Sequence, residues 1–212
     1  MNAANELITR SPRILTWSGL GTTAAAVLLG AALVFTEPSG LDRWWNETVV
    51  AHRADWMTSS ALLLDHVGGG WLAILVVPVL MIVSLVLARR WRGAVFAATA
   101  FLASAGAVQL LKNLYRRARP EDMVVASDFG SFPSGHVANA ATIAIVLYVL
   151  FPRVWVAIAG AAWTVAMALS RTLLSVHWAT DTLGGALVGG GVALLLAAWA
   201  LPWARTTSPR TP

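Results

Sequence analysis

The residues that could do chemistry fall in three short polar clusters, separated by long apolar stretches. The clusters are KNLYRRARP at 112–120, FPSGH at 132–136 and SRTLLSVHWATD at 170–181. Charged groups are costly in or near hydrocarbon, so charges gathered at the ends of apolar segments indicate a functional site. Together the clusters hold cations, histidines and carboxylate, a set of groups that suits chemistry on a phosphate ester.

The first and third clusters supply positive charge through Lys112, Arg119 and Arg171. The two guanidinium groups can each grip phosphate oxygens in pairs. The second cluster resembles the start of a helix, where Ser134 would act as the cap and Gly135 would let the backbone approach an anion closely. These residues predict a cradle for a phosphoryl group.

Two histidines could divide the work of hydrolysis. His177 and Asp181 are four residues apart, so a helix would place them on one face, where the carboxylate holds one imidazole nitrogen and the other attacks phosphorus. His136 belongs to a different predicted helix and could protonate the leaving oxygen as general acid. This division of roles requires no metal ion.

Each of these features, taken alone, has a simpler interpretation. An arginine at a helix end usually extends its side chain to the membrane interface, and we apply that interpretation to Arg116 and Arg117. An isolated His-Asp pair is more often a polar contact than a catalytic dyad, and Pro-Ser-Gly alone is usually a turn. His52 and His66 lie outside the polar clusters and are expected to have no catalytic role. The role of Asp65 is ambiguous, because it lies just outside the second apolar stretch. The clusters favour function because all three are predicted on one membrane face with complementary roles.

The composition predicts the kind of fold that carries these clusters. Of 212 residues, 58% are hydrophobic and 12% charged, and the mean hydropathy is +0.69. We expect an all-α integral membrane bundle of six transmembrane helices, forming one domain over residues 1–212. Little chain remains for a soluble domain or a nucleic-acid reader, and the absence of cysteine excludes disulfides and thiolate sites. The six apolar stretches are residues 14–35, 71–88, 93–111, 137–152, 154–170 and 182–204.

The loop charges predict the orientation of the bundle. If the N-terminus is cytoplasmic, the inner segments hold eight arginines against one acid, Glu6, and the outer segments hold the other basic residues and acids. Excess positive charge on the cytoplasmic side sets topology in this way. We therefore expect a multi-pass protein of the cytoplasmic membrane, with both termini in the cytoplasm, a frayed tail at 205–212 and the three clusters on the outer side.

The outer segment between the first two stretches carries an amphipathic pattern. Its apolar residues follow helical spacing, with Asp42, Asn46 and Arg53 on the opposite side. The pattern predicts an interfacial helix on the outer leaflet, although an ordinary packed loop helix explains it equally well. The apolar set consists of Leu41, Trp44, Trp45, Val49, His52 and Trp56.

The three clusters together resemble the signature of the type 2 phosphatidic acid phosphatases, membrane lipid phosphatases that share their motifs with vanadium-dependent haloperoxidases. That signature is Lys, six residues and Arg-Pro; then Pro-Ser-Gly-His; then Ser-Arg, five residues, His, three residues and Asp. Every internal spacing is intact here, which makes the signal far stronger than a lone glycine motif. The matching positions are Lys112, Arg119, Pro120, Pro133, Ser134, Gly135, His136, Ser170, Arg171, His177 and Asp181.

The resemblance implies a phosphohistidine intermediate on His177, oriented by Asp181, with His136 as the acid for the departing group. It implies supporting places for Pro133 and Ser170, no metal or other cofactor, and a site that faces outward. The phosphoryl group would be bound by Lys112, Arg119, Ser134, Gly135 and Arg171.

The substrate implied by the resemblance is a lipid phosphate drawn from the membrane. Undecaprenyl diphosphate is our first choice, with phosphatidylglycerol phosphate and phosphatidic acid as alternatives, and phosphoryl transfer to another lipid stays open. A non-enzymatic lipid transporter is less favoured, because the charges gather at one face and not at the midplane. Glycines at 184, 185, 189, 190 and 191 would let helices approach closely or would widen a lipid groove. The oligomeric state is left open.

Overall fold

The protein is described by a computed structural model over residues 12–34, 38–68, 75–127 and 129–204, with side chains up to residue 200. These residues contain helices and loops and no strand, which confirms the all-α prediction for the part of the chain described. The helices are α1 (Pro12–Val34), α2 (Gly40–His52), α3 (Asp55–Gly68), α4 (Val77–Leu87), α5 (Trp91–Tyr115), α6 (Gly135–Leu150), α7 (Val154–Leu173) and α8 (Ala179–Ala204).

Four helices, α1, α5, α7 and α8, are long and apolar enough to cross a bilayer, and α4 and α6 are shorter apolar helices. Each of the six coincides with one of the six predicted stretches, although residues 71–74 of the second stretch and the tail at 205–212 lie outside the described residues. At 1.5 Å per residue the 16 residues of α6 extend about 24 Å, less than the roughly 30 Å of hydrocarbon. The protein is a multi-pass membrane protein whose helices differ in length.

Apolar side chains cover much of the outer surface of the long helices. Leu28, Leu102, Leu110 and Ile158 are each more than 60% exposed, and Trp199 is 81% exposed. A soluble monomer rarely leaves large apolar patches in water, whereas lipid tails solvate such side chains. The exposed apolar belt therefore fits a surface that faces lipid.

Helix α8 lies at the centre of the bundle and packs against α1, α5 and α6. A methyl group added at Gly189 would overlap the backbone of Ala138 in α6, and one at Gly185 would overlap the carbonyl oxygen of Ser134. Gly190 faces open space. The predicted close approach of helices is therefore found at Gly185, Gly189 and Gly191, whereas Gly184 packs against the Phe132 ring in the loop before α6. The glycines in close contact with another segment are Gly184, Gly185, Gly189 and Gly191.

Two helices, α2 and α3, occupy the stretch predicted as one amphipathic helix, because the chain is not helical at Arg53 and Ala54. In α2, Leu41 and Trp44 are exposed, whereas Asp42 is fully buried and the apolar Val49 is buried too. The Asp42 N–H also donates to the capping Ser39 Oγ at 3.1 Å. Asp42 therefore points into the protein, whereas Arg43 and Glu47 of the same helix are exposed.

The turns at the far end of the bundle are basic. Arg90, between α4 and α5, donates from Nη2 to the Leu150 carbonyl oxygen at 3.3 Å, and its guanidinium lies 4.8 Å from the centre of the Phe151 ring. Arg153 is exposed where α7 begins. These contacts place the α4–α5 and α6–α7 turns side by side, at the opposite ends of α5, α6 and α7 from the three polar clusters.

The packing of α8 on α6 predicts different outcomes for two neighbouring glycines. Gly189→Ala should lower the midpoint of thermal unfolding in detergent, because overpacking costs about 1–3 kcal/mol. Gly190→Ala adds a methyl group to open space and should leave the midpoint unchanged or raise it slightly, since alanine favours helix. Equal effects of the two substitutions would contradict the close contact between Gly189 and Ala138.

Candidate active site

The three polar clusters meet at one end of the bundle. Lys112 and Arg171 lie in the last turns of α5 and α7, where side chains can reach past the helix end. Gly135 begins α6, and Asp181 lies in the first turn of α8. The starts of these two helices are joined, because the Ser134 N–H donates to the Asp181 carbonyl oxygen at 3.0 Å. Two helix C-termini and two helix N-termini thus surround one region.

His177 lies at the centre of this region and is 4% exposed. Its Nδ1 is 3.5 Å from Asp181 Oδ2, and its Nε2 is 3.3 Å from Arg119 Nη1. Burial lowers the pKa of His177 to about 4. The Asp181 carboxylate opposes this shift, and the positive charges of Arg119 and Lys112 add to it. The imidazole is therefore neutral at pH 7, and a neutral imidazole has the lone pair that a nucleophile needs.

His177 and Asp181 do not share a helix face, contrary to the prediction. His177 precedes the start of α8 at Ala179, so the pair is formed by a loop and the first helical turn. Asp181 Oδ2 accepts a hydrogen bond from the Trp178 N–H at 2.8 Å, in the manner of a capping box. Capping fixes the carboxylate, and the fixed carboxylate faces the imidazole.

Arg117 is buried at 8% exposure and does not extend to the membrane interface, so the prediction for this residue was wrong. Its Nη1 donates to Asp181 Oδ1 at 2.5 Å and to Thr180 Oγ1 at 2.8 Å. Its Nη2 donates to Asp42 Oδ2 at 2.8 Å. A charged pair out of water needs such matched partners. Arg116, by contrast, is exposed at the end of α5.

Asp42 joins α2 to this network. Its carboxylate accepts hydrogen bonds from the Thr180 N–H at 3.0 Å and the Thr180 hydroxyl at 2.8 Å, besides the Arg117 guanidinium. Although burial raises the pKa of Asp42, the hydrogen bonds from Thr180 and Arg117 outweigh it, and the pKa lies below the ordinary value. The carboxylate is ionised and helps to fix the start of α8.

A second imidazole and carboxylate pair faces the same region. His136 Nε2 is 3.3 Å from Asp65 Oδ1, within ion-pair distance but outside hydrogen-bond angles. Arg171 Nη1 donates to the same oxygen at 2.6 Å, and its Nε donates to Ser170 Oγ at 3.3 Å. The pKa of Asp65 lies well below its ordinary range, first because of the contact with His136. Partial burial raises this pKa, and the positive charge of Arg171 lowers it further. Ser170 thus contacts the Arg171 guanidinium through its side chain.

Arg119 is held by backbone carbonyl groups. Its Nη1 donates to the Val176 carbonyl oxygen and its Nη2 to the Gly130 carbonyl oxygen at 3.0 Å. Gly130 has a φ of 75°, which a glycine adopts without strain. The loop therefore positions Arg119 beside the His177 Nε2 atom.

The Ser134 side chain does not cap α6 as predicted. Ser134 occupies the N-cap position, after a cis peptide bond between Phe132 and Pro133, but no side-chain capping bond forms. Its Oγ is buried without a partner, and the same holds for Arg171 Nη2. Buried polar atoms are normally paired, and unpaired ones cost about 1–3 kcal/mol. Two unsatisfied polar atoms beside a helix N-terminus suit a site that receives an anion.

A cavity of about 330 Å³ opens beside these groups. Its polar end is lined by Lys112, Gly135, His136, Arg171 and His177. Its apolar part runs between α5 and α6, so polar and apolar surfaces are continuous in one cavity. Within the described residues, no group of three or more His, Cys, Asp or Glu side chains could hold a metal ion. The apolar part is lined by Phe101, Ala105, Val108 and Ala138.

The sequence reasoning missed three functional neighbours of the predicted residues, namely Asp42, Asp65 and Arg117. Each lies outside the family signature, although Arg117 stands among its cations and the two carboxylates are among the few acids of the outer segments. An excess of cations beside buried segments needs carboxylates as counter-charges. That need is the signal that could have identified Asp42 and Asp65 as partners of the cations.

The buried ion network predicts a large effect for one of two adjacent arginines. Arg117→Ala should lower the free energy of unfolding by about 3–5 kcal/mol, because it leaves the Asp42 and Asp181 carboxylates without their shared cation. The measurement is thermal or denaturant unfolding in detergent. The control is Arg116→Ala, an exposed neighbour, with an expected change within about 0.5 kcal/mol. Similar losses for the two variants would rule out this role for Arg117.

The chain matches known proteins over the region that builds this site. Residues 93–205 match the family model described as the PAP2 superfamily. The decaprenylphosphoryl-5-phosphoribose phosphatase of Mycobacterium tuberculosis is 33% identical over 155 residues, which cover 66% of this chain and 78% of that protein. The lipid A 4'-phosphatase of Bacteroides thetaiotaomicron is 37% identical over 59 residues, which cover 28% of this chain and only 26% of that protein.

A solved structure shares the fold. It is the transmembrane PAP2-type phosphatidylglycerolphosphate phosphatase of Bacillus subtilis, with a TM-score of 0.79 and 24% identity, covering 90% of this chain and 100% of that one. The family model covers more than half of the chain and encloses all three polar clusters. The chain therefore belongs to the PAP2 superfamily and is a multi-pass membrane protein of the phosphatase class.

Proposed function

We propose that the protein hydrolyses the phosphate of a membrane lipid through a phosphohistidine intermediate on His177. The observation that carries the proposal is the environment of that imidazole. It is buried and neutral, its Nδ1 faces the Asp181 carboxylate at 3.5 Å, and its Nε2 faces the Arg119 guanidinium at 3.3 Å. A contact of 3.5 Å is long for a hydrogen bond, and such contacts tighten when substrate is bound. The carboxylate favours the tautomer with its proton on Nδ1, so Nε2 carries the lone pair, which faces Arg119 until a phosphoryl group binds.

The reaction proceeds in two displacements. In the first, His177 Nε2 forms a bond to phosphorus while the bond from phosphorus to the leaving oxygen breaks, and protonated His136 donates its proton to that oxygen. In the second, neutral His136 removes a proton from water, the water oxygen bonds to phosphorus, and the bond to Nε2 breaks. Inorganic phosphate leaves, and both histidines return to their starting states.

The phosphoryl group is bound by the cations and by the start of α6. Lys112 and Arg171 line the polar end of the cavity with Gly135, and Arg119 approaches the attacking nitrogen. The unpartnered Ser134 Oγ and Arg171 Nη2 are donors for phosphate oxygens. Such preorganised donors stabilise the charge that develops in the transition state.

The lipid tail is proposed to occupy the apolar part of the cavity between α5 and α6. This arrangement keeps the tail in hydrocarbon while the phosphate reaches the polar end, so no soluble domain is needed to extract the lipid. Undecaprenyl diphosphate is the first candidate substrate. A polyprenyl lipid with a terminal phosphorylated sugar is the second, because the Mycobacterium tuberculosis relative is named for such a lipid.

Phosphatidylglycerol phosphate and phosphatidic acid remain further candidates on the same scaffold. Transfer of the phosphoryl group to a second lipid uses the same intermediate and differs only in whether water is excluded. A lipid transporter is less favoured, because the described charges of the site gather at one end of the bundle and not at its middle.

The orientation of the bundle belongs to this proposal. We place six spans in the cytoplasmic membrane, with both termini in the cytoplasm and the site on the outer side. The basic turns holding Arg90 and Arg153 lie at the end opposite His177, as the positive-inside rule requires. Helices α2 and α3 would lie at the outer interface, with exposed Leu41, Trp44 and Trp56 towards lipid.

The phosphohistidine mechanism predicts that His177→Ala lowers phosphate release by at least about a thousandfold, because the covalent route is lost. The assay is release of inorganic phosphate from undecaprenyl diphosphate by purified protein in detergent micelles. Brief incubation with substrate labelled in its terminal phosphate should trap acid-labile label on the wild-type protein and none on the variant. His52→Ala, which alters an exposed histidine of α2, is the control and should retain activity.

Retained phosphate release by folded His177→Ala would end the proposed mechanism. The same assay compares undecaprenyl diphosphate, a polyprenyl phosphoribose phosphate and phosphatidylglycerol phosphate. We expect a clearly higher kcat/KM for one of the two prenyl lipids. Equal values for all three would show that the protein does not select its lipid.

The proposed orientation predicts opposite labelling at two loop positions. The chain has no cysteine, so Glu121→Cys and Arg153→Cys each introduce one thiol at an exposed site. In intact spheroplasts a membrane-impermeant maleimide should label Cys at 121 and should label Cys at 153 only after the membrane is permeabilised. The reverse pattern would place the active site in the cytoplasm.

A further inference from the structure

Asp65 is a carboxylate outside the three motif clusters that nevertheless contacts two of their residues. It belongs to α3, which packs against α7, and its side chain is 25% exposed. One of its oxygens, Oδ1, lies 3.3 Å from His136 Nε2 and 2.6 Å from Arg171 Nη1. A single carboxylate oxygen therefore connects the proposed general acid to a proposed phosphate ligand.

We propose that Asp65 is the positioning residue for the leaving-group acid, holding His136 Nε2 so that the other ring nitrogen donates to the departing oxygen. This inference rests on the proposed function, since it assigns a partner to the acid of that reaction. With this assignment the site contains two imidazole and carboxylate pairs, one formed by His177 and Asp181 and the other by His136 and Asp65.

The geometry of the two pairs supports this assignment. Asp181 faces Nδ1 of His177 at 3.5 Å, which leaves Nε2 for phosphorus, and Asp65 faces Nε2 of His136 at 3.3 Å, which leaves Nδ1 for the leaving oxygen. A hydrogen bond formed through one nitrogen would fix the ring orientation and tautomer of each imidazole. The two pairs come from different parts of the chain, and the Ser134 N–H bond to the Asp181 carbonyl oxygen joins the segments that carry them.

The surrounding charges explain why an acid at this place needs a carboxylate. His136 shares the polar end of the cavity with Lys112, Arg171 and the neutral His177. A proton on the His136 ring therefore adds positive charge beside two cations. Asp65 is the carboxylate in contact with the ring, and an ion pair with it stabilises the protonated form. Removing this carboxylate should lower the fraction of His136 that carries the proton, and so reduce the contribution of the acid without abolishing it.

The acid matters most where the leaving group is poor. Cleavage of a lipid monophosphate expels an alkoxide, which must take a proton as its bond to phosphorus breaks. Cleavage of a lipid diphosphate at the terminal phosphorus expels a lipid phosphate, which is stable as an anion and needs less protonation. A residue that acts through His136 should therefore affect monophosphates more than diphosphates.

The test compares the wild-type protein with Asp65→Asn on prenyl monophosphate, prenyl diphosphate and a series of alkyl-tailed aryl phosphates of graded phenol acidity. General acids contribute about 10²- to 10⁴-fold, and we expect a positioning residue to account for about 10- to 100-fold with the monophosphate. The diphosphate rate should change by less than about threefold. In the aryl series, the variant's rate should depend more steeply on phenol acidity.

Two further measurements separate this role from a general loss of structure. Asp65→Asn should add little to the effect of His136→Ala in the double variant, because residues that act as a unit are not additive. Asp55→Asn, an exposed carboxylate of the same helix, is the matched control and should leave the leaving-group dependence unchanged. If Asp65→Asn folds poorly, Asp65→Ser replaces it, since serine removes the carboxylate without placing an amide between two cations.

A uniform loss across all leaving groups, with weaker inhibition by inorganic phosphate, would show that Asp65 acts through Arg171 and would overturn the proposal. No change with any substrate would overturn it as well. Failure of the proposed function itself has a separate signature, which is phosphate release by His177→Ala. The two hypotheses are therefore distinguishable in one set of assays.

Discussion

The active-site end of this protein depends on one buried guanidinium. Arg117 stands between the Asp42 and Asp181 carboxylates at 2.8 and 2.5 Å, and all three side chains are removed from solvent. Isolated, each of these charges would be too costly to bury, so the network exists only when three segments arrive together. This network of ion pairs connects α2 and the loop after α5 to the first turn of α8. The orientation of the His177 imidazole follows from this connection, because Asp181 is the carboxylate that faces it.

The capping of α8 gives the same carboxylate a second function. Asp181 accepts a hydrogen bond from the Trp178 N–H and lies where the helix dipole favours negative charge. The interactions that begin the helix therefore also set the distance between Asp181 and His177. Asp65 has no such local restraint, and its position depends on the packing of α3 against α7. The pair of His177 and Asp181, the proposed nucleophile and its carboxylate, is built into one turn of chain, whereas the pair of His136 and Asp65 is assembled by tertiary contacts.

The sequence predicted the parts of this structure that local spacing determines. Apolar stretches located the helices of the bundle, and the signature spacings located the residues that meet at its end, such as Lys112 and Arg171. It did not predict that His177 lies before α8, since a four-residue spacing is compatible with a helix face and with a capped helix start. It also misjudged Arg117, because an arginine near a helix end looks the same whether its partners are lipid headgroups or carboxylates brought in from α2. Pairings between distant segments carry no local pattern, and Asp42 and Asp65 could be assigned only after the fold was known.

The short length of α6 ties the site to the membrane. Its neighbours α5 and α7 have 25 and 20 residues, whereas α6 has 16 and begins at the polar end of the cavity. A helix that starts below the ends of its neighbours leaves its N-terminal N–H groups in a recess between them, where the helix dipole favours an anion. The apolar walls of α5 and α6 continue from that recess. A phosphate bound there remains covalently attached to a tail in hydrocarbon, so the reacting bond lies where the polar and apolar parts of the cavity meet. In the proposed reaction, the bundle thus brings His177 to the depth of the lipid phosphate, and the lipid need not leave the bilayer to react.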